Sequence, residues 1–171
     1  MRDLPWNKIA LFADLNAAEI AKVKPIFTLL SKPAGQLLLE EGDYGDEMFV
    51  LIEGKVRITK SMIIKDFDLP LLDIENPRKV LATLSHESYP IFGEMALLDR
   101  DVRSASVEIL EPSDFLVTTQ KSFFDLVERE PHLGCHLLTS FGRRLAATVR
   151  KNNSELVKLT TALALALSPQ K

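Results

Sequence analysis

A single cysteine, Cys135, stands among the 171 residues, so no internal disulfide can form and the fold must rest on a packed core. No apolar stretch approaches the roughly 18 residues that a membrane-spanning helix needs. The nearest candidate, Ala162 to Leu167, is six residues long. The first residues, Met1-Arg2-Asp3-Leu4-Pro5-Trp6, lack the basic-then-apolar layout of a secretory leader. One cysteine and no leader together lead us to expect a reducing, cytoplasmic setting. Neither sign of charge dominates: 21 Lys and Arg against 24 Asp and Glu leave −3, which gives no footprint for general nucleic-acid binding. There is no Gly-x-x-x-x-Gly-Lys-Ser/Thr loop, which argues against ATP chemistry. Nothing resembles a nucleophile beside a base, so no enzymatic activity is expected.

What is present is an ordinary globular composition, 46% hydrophobic and 26% charged. The length suits one domain that buries about 70% of its unfolded surface. Residues 1–171 read as a single domain in three parts. From 4 to 30, Ile9, Phe12, Leu15, Ile20, Val23 and Ile26 recur near helical spacing, interrupted at Pro5 and Pro25. Asn16 with Glu19 three residues later is a capping-box pattern. From 31 to 119, short runs rich in β-branched residues alternate with turn signals. The runs are Gln36–Leu39, Met48–Ile52, Val56–Thr59, Val80–Leu84, Ala105–Ile109 and Phe115–Thr118. Turns fall at Gly42-Asp43-Tyr44-Gly45-Asp46 and Glu53-Gly54-Lys55, and Ser61 to Lys79 reads as a long exposed loop. From 120 to 167 helices return: Ser122–Arg129, then a long helix from Pro131 past Lys158. The expected class is α+β, an antiparallel, jelly-roll-like β-roll with N-terminal helices and a long C-terminal helix.

The chemistry concentrates between Phe92 and Val107. Gly93 permits tight backbone geometry and close approach of a ligand where a strand gives way to a short helical turn. The amides that follow it project from a helix start, which attracts anions. Arg103, nine positions after Glu94, can fold back over the same cavity and pair with a phosphate through two parallel hydrogen bonds. Ser104 adds a hydroxyl and an amide. Glu94 repels phosphate but suits a ribose hydroxyl, as acidic residues do in dinucleotide folds. One acid for a sugar, with an arginine and amides for one compact anion, describes a nucleotide. Read alone, the same residues also fit a commoner arrangement, an exposed Glu94–Arg103 ion pair around a turn.

The stretches Phe92-Gly93-Glu94-Met95-Ala96-Leu97 and Arg103-Ser104-Ala105-Ser106-Val107 closely resemble the phosphate-binding cassette of the cyclic-nucleotide-binding domain family. Leu11–Leu15, Glu41–Asp46 and Ile52–Val56 resemble that family's entry helix, early turn and later strand-turn-strand, so the similarity covers most of the chain. The resemblance implies a sensor of cAMP or cGMP. Glu94 would bind the ribose 2′-hydroxyl and Arg103 the cyclic phosphate, helped by Gly93 and the amides of Met95, Ala96 and Ser104. Ile58, Leu81 and Ala82 match positions that wall the base in catabolite activators, and ordinary core remains the alternative for each. Val102 departs from the proline that often precedes the cassette arginine, and the 61–79 segment is longer than the family's usual hairpin.

The base is less legible. Ser104 occurs in both cAMP and cGMP receptors. Arg143-Arg144-Leu145-Ala146-Ala147-Thr148 is similar to a catabolite-activator run whose last threonine hydrogen-bonds adenine, so Thr148 tilts the reading toward cAMP. On the same helix Leu145, Val149, Asn152, Leu156, Leu159 and Leu163 step by four and three, a coiled-coil seam with one polar position. With the resemblance, this leads us to expect a homodimer that signals to an effector protein by moving its C-terminal helices. The other readings are a piece or relative of a catabolite-activator-like regulator, and a degenerate interaction module without ligand. The 21 residues after Arg150 hold no helix-turn-helix signal, so direct DNA binding is not expected. His132 and His136 lie one helical turn apart but have no evident further ligands, so no metal or cofactor is expected.

Overall fold

The computed structural model describes residues 4–62 and 78–167. Apart from its ends, the loop read over Ser61 to Lys79 lies outside the described residues. The fold is the expected antiparallel β-roll with helices at both ends.

A 3-10 turn at Trp6–Lys8 leads to α1 (Ala17–Val23), and a second 3-10 turn follows at Lys24–Ile26. The capping box forms: Asn16 Oδ1 accepts from the Ala18 and Glu19 amides, and Glu19 accepts from the Asn16 amide at 2.9 Å. The helical reading of 4–30 runs too far, because strand β1 (Thr28–Lys32) begins inside it and pairs with Val117 to Ser113. Sheet pairing overrides the local helical period there.

Five more strands follow: β2 (Leu37–Leu39), β3 (Glu47–Ser61), β4 (Arg78–Ser85), β5 (Ile91–Phe92) and β6 (Ser106–Thr119). The sheet order is β1-β6-β3-β4, with β2 also on β6 and β5 also on β3. Runs that the sequence presents as separate are continuous strands. β3 passes through Gly54, and β6 passes through Pro112. The two irregularities meet. Gly54 has φ +92°, and a Cβ there would lie 2.2 Å from Ser113 Oγ and 2.5 Å from the Pro112 carbonyl. Only glycine lets these two kinked strands come together.

Between β5 and β6 sits α2 (Glu94–Asp99). After β6 come α3 (Gln120–Arg129) and the 37-residue α4 (Pro131–Leu167). Two apolar clusters hold the parts. Phe49, Phe92 and Phe115 fill the roll with ring centroids 5.7–6.2 Å apart. Trp6, Phe12 and Phe27 join Phe123, Leu137 and Phe141 at the helical end. α4 contributes Leu133, Leu137 and Phe141 to that core, and every residue from Ala146 to Leu167 is exposed.

Candidate functional site

Arg103 enters a buried position just before β6, with only 4% of it exposed. Its backbone is pinned on both sides by the 42–46 turn: the Gly42 amide donates to its carbonyl at 2.9 Å, and its own amide donates to Asp43 O at 2.8 Å. Its guanidinium lies over Phe49, 5.9 Å from the ring centroid. Nη1 donates to the Glu47 carbonyl and Nη2 to Glu47 Oε2, each at 2.7 Å. Burial pushes the Arg103 pKa down, and the negative charges of Glu47 and Asp46 push it back up.

Two glycines make room for this side chain. A Cβ on Gly45 would lie 2.6 Å from Arg103 Nη2. Gly93, at φ +78°, caps the start of α2, and a Cβ there would meet the Glu47 carbonyl at 2.8 Å and Arg103 Nη1 at 3.0 Å. The left-handed turn at Gly93 aims α2 so that Glu94 and Arg103 line the same cavity, about 220 Å³ in volume. Glu94 is half-buried, and its carboxylate makes no hydrogen bond or ion pair with another described residue. The exposed Glu94–Arg103 pair that the sequence also allowed is absent, since Arg103 pairs with Glu47.

The cavity thus combines a buried cation, a carboxylate unpaired among the described residues and an apolar wall that includes Leu39, Ile58 and Leu81. Gly93, Met95, Ala96 and Ser104 line it as well. Ser104 Oγ faces Met95 Sδ at 3.9 Å. Ala82 is not among the lining residues. It is the register partner of Ile58 in the β3–β4 ladder, and the register shifts just beyond that pair, where Leu81 stands as the extra residue and reaches the cavity. Thr148 sits on the exposed stretch of α4, away from the lining. Of the seam residues, Leu145 is half-buried, and Val149, Asn152, Leu156 and Leu159 are exposed.

A larger depression, about 690 Å³, lies between the 44–46 turn and α3. Lys121 pairs there with Asp125 at 2.6 Å, and Arg100 Nε donates to Gln120 Oε1. The smaller cavity brings together Gly93, Glu94, Arg103 and Ser104 and is the candidate site. Among the described residues, no three His, Cys, Asp or Glu converge on a metal position, and His136 approaches Glu19 at 3.6 Å.

Sequence reasoning missed Glu47. Glu40, Glu41, Asp43, Asp46 and Glu47 crowd one turn, and composition cannot say which of them faces a distant arginine.

A β-roll that holds a buried arginine and an open carboxylate in one cavity, with helices packed at its end, is a small-ligand-binding module. The cyclic nucleotide-binding domain model matches residues 29–130, and the chain belongs to that family. The chain is 27% identical to the cyclic AMP receptor protein of Thermus thermophilus over 79% of its own length and 56% of that protein. It is 29% identical to cGMP-dependent protein kinase isozyme 1 of Drosophila melanogaster over 69% of its own length and 14% of the kinase. The crystal structure of Thermus thermophilus catabolite activator protein superposes with a TM-score of 0.74 at 26% identity, over 88% of this chain and 63% of that one. The chain therefore spans about half of the first relative and a small part of the second. Domains of this family are typically regulatory rather than catalytic. No described helix is long and apolar enough to cross a membrane.

Proposed function

We propose that this chain is a non-enzymatic, cytoplasmic sensor that binds a cyclic nucleotide, cAMP in preference to cGMP, and passes its ligand state to an effector protein through α3 and α4. The observation that carries this reading is the buried Arg103 guanidinium in one cavity with the Glu94 carboxylate. Arginine has five N–H donors. Glu47 occupies one on Nη1 and one on Nη2, which leaves the others for a phosphate. The first amides of α2 have no partner within the helix and add neutral donors beside it. Glu94 accepts from the ribose 2′-hydroxyl. Ile58 and Leu81 wall the base, Ala82 supports that wall from the neighbouring strand, and Thr148 reads adenine when α4 moves over the mouth.

A continuous set of contacts supports the signalling step. Gln120, the buried first residue of α3, donates from Nε2 to the Leu97 carbonyl at 2.9 Å, accepts from Arg100 Nε, and donates its amide to Asp46 O at 3.0 Å. It thus joins the end of α2 and the 42–46 turn to the helices. A ligand shifts those helices only to the extent that it prefers one of their arrangements. The seam on α4 makes the sensor a homodimer.

The test is calorimetric titration of the purified chain with cAMP and cGMP side by side. Micromolar or tighter binding, with cAMP ahead, is expected. Binding of neither ligand would leave a β-roll that serves only as an interaction module.

A further inference from the structure

The cassette arginine is gripped from one side by the 42–46 turn, and a second group holds the residue after it from the other side. Lys60, near the end of β3, donates from Nζ to the Ser104 carbonyl at 2.6 Å. The ammonium is held in place by Glu41, 3.3 Å away. Glu41 is itself fixed: its Oε2 accepts from the Ser61 amide at 2.7 Å, and its own amide donates to the fully buried Ser106 Oγ at 3.0 Å. Arg78 on β4 donates to the same Ser106 oxygen at 2.7 Å. The Ser61 amide, followed by Lys60, holds the Glu41 carboxyl below the usual carboxylate range, so the acid is ionised at neutral pH. None of these groups lines the cavity, and all of them bear on the segment that does.

We infer that Lys60, oriented by Glu41, is a positioning residue for the phosphate end of the site: by clamping the Ser104 carbonyl it fixes the peptide that joins Ser104 to Ala105. This rests on the cyclic-nucleotide reading of the cavity. A peptide unit is planar and trans, so fixing its carbonyl also fixes the N–H on its other side. Here that N–H belongs to Ala105, which lines the cavity beside Arg103. The Arg103 backbone is already tied to Gly42 and Asp43. With Ser104 free, the segment would be anchored at its start and at Ser106 but able to rotate between them. Two charged groups that never touch the ligand thus set the angle at which the arginine and the neighbouring amides meet an anion.

The test titrates the whole chain, calorimetrically, with whichever of cAMP and cGMP binds more tightly. The same titration is run with the Rp and Sp phosphorothioates of that nucleotide, in which one phosphate oxygen is sulfur, and with its 2′-deoxy analogue. The wild-type protein is expected to separate the two phosphorothioates by about tenfold or more. Lys60→Met is expected to weaken the parent nucleotide about tenfold, the worth of one charge-assisted hydrogen bond, and to shrink the Rp/Sp ratio. The ratio of parent to 2′-deoxy analogue, which reports the Glu94 end, should not change. Lys60→Arg should restore both affinity and ratio, and Glu41→Gln should reproduce part of the loss. Lys60 is exposed, so these variants keep their fold, which the thermal midpoint checks. Wild-type protein that is indifferent to the sulfur position, a Lys60→Met protein with wild-type affinity, or one that weakens every ligand with both ratios intact would overturn the assignment. Wild-type protein that binds neither nucleotide would overturn the sensor reading itself, a result seen before any substitution is made.

Discussion

Arg103 is held by more than its side chain, and that shapes what its loss should do. The guanidinium is buried and shares its donors between Glu47 and the cavity, so a replacement removes ligand affinity and also leaves Glu47 without its partner. Arg103→Lys keeps the charge but loses the planar fork. We expect cyclic-nucleotide affinity to fall by about tenfold to a hundredfold in Arg103→Lys, the range of one or two charge-assisted bonds, and further in Arg103→Glu. Titration calorimetry reads both. Gly45→Ala is the complementary test, because its methyl would displace Nη2 rather than backbone, so affinity should drop more than thermal stability. Glu41 predicts a pH dependence. Its folded pKa lies below its unfolded value, so its contribution to stability is present above the ordinary carboxyl pKa of about 4.3 and is lost as pH falls through the folded value. The stability gap between wild type and Glu41→Gln should therefore be constant near neutrality and close only in acid, which denaturant titrations at several pH values will show. At this scale the ligand-facing groups were legible, because Glu94 and Arg103 belong to one contiguous motif. Glu47 and Lys60 were not, because their partners are 56 and 44 positions away and are chosen by strand register.

Between elements, the decisive features are the places where two strands or helices share one contact. The β3–β6 register shifts repeatedly between Leu51 and Val56, and Gly54 lies against Pro112 and Ser113 in that stretch. An alanine at 54 would take a left-handed φ, which costs about 1–3 kcal/mol, and its Cβ would also meet backbone atoms. Gly54→Ala should lower unfolding free energy by at least that amount in a denaturant titration, with cyclic-nucleotide affinity little changed in the folded fraction. Gln120 is the corresponding contact between α2 and α3. Gln120→Leu removes its side-chain hydrogen bonds to the Leu97 carbonyl and Arg100 but keeps similar bulk. Ligand should still bind, while ligand-induced protection of the α3 and α4 amides in hydrogen exchange should shrink. Equal protection in wild type and variant would show that the helices are coupled by another route. Strand identity was legible wherever alternation stood between glycine turns, as at Val56–Thr59. It failed at Thr28–Leu30, where the helical period of the preceding residues runs into a strand that only β6 defines. It also failed at Gly54 and Pro112, where turn-forming residues sit inside long strands rather than between them.

For the molecule as a whole, α4 is the element that the rest of the chain does not account for. At about 1.5 Å per residue its 37 residues extend about 55 Å. Its first part is anchored by Leu133, Leu137 and Phe141, and Arg144 reaches the Ile91 carbonyl at 3.5 Å just ahead of the cassette. From Ala146 to Leu167 every residue is exposed. Val149, Leu156, Leu159 and Leu163 are 55–66% exposed and lie on one stripe with Asn152 between them. Burying an aliphatic side chain contributes about 1.5–3 kcal/mol, so a stripe of this kind favours pairing with a second helix. Asn152 within an otherwise apolar seam favours one register and a two-stranded arrangement. In a parallel pair the two β-rolls would sit side by side at the same end, with both Arg144 contacts near the dimer axis, so that a change at either cavity bears on a shared helix pair. Leu156→Glu places two carboxylates against each other across that seam. We expect the wild-type chain to sediment as a dimer and Leu156→Glu as a monomer. The variant should still bind cyclic nucleotide, because the described lining of the cavity comes from one chain. Val157→Glu, off the stripe, should remain dimeric. A Leu156→Glu protein that stays dimeric would move the interface off α4, and with it the route by which one cavity could sense the other.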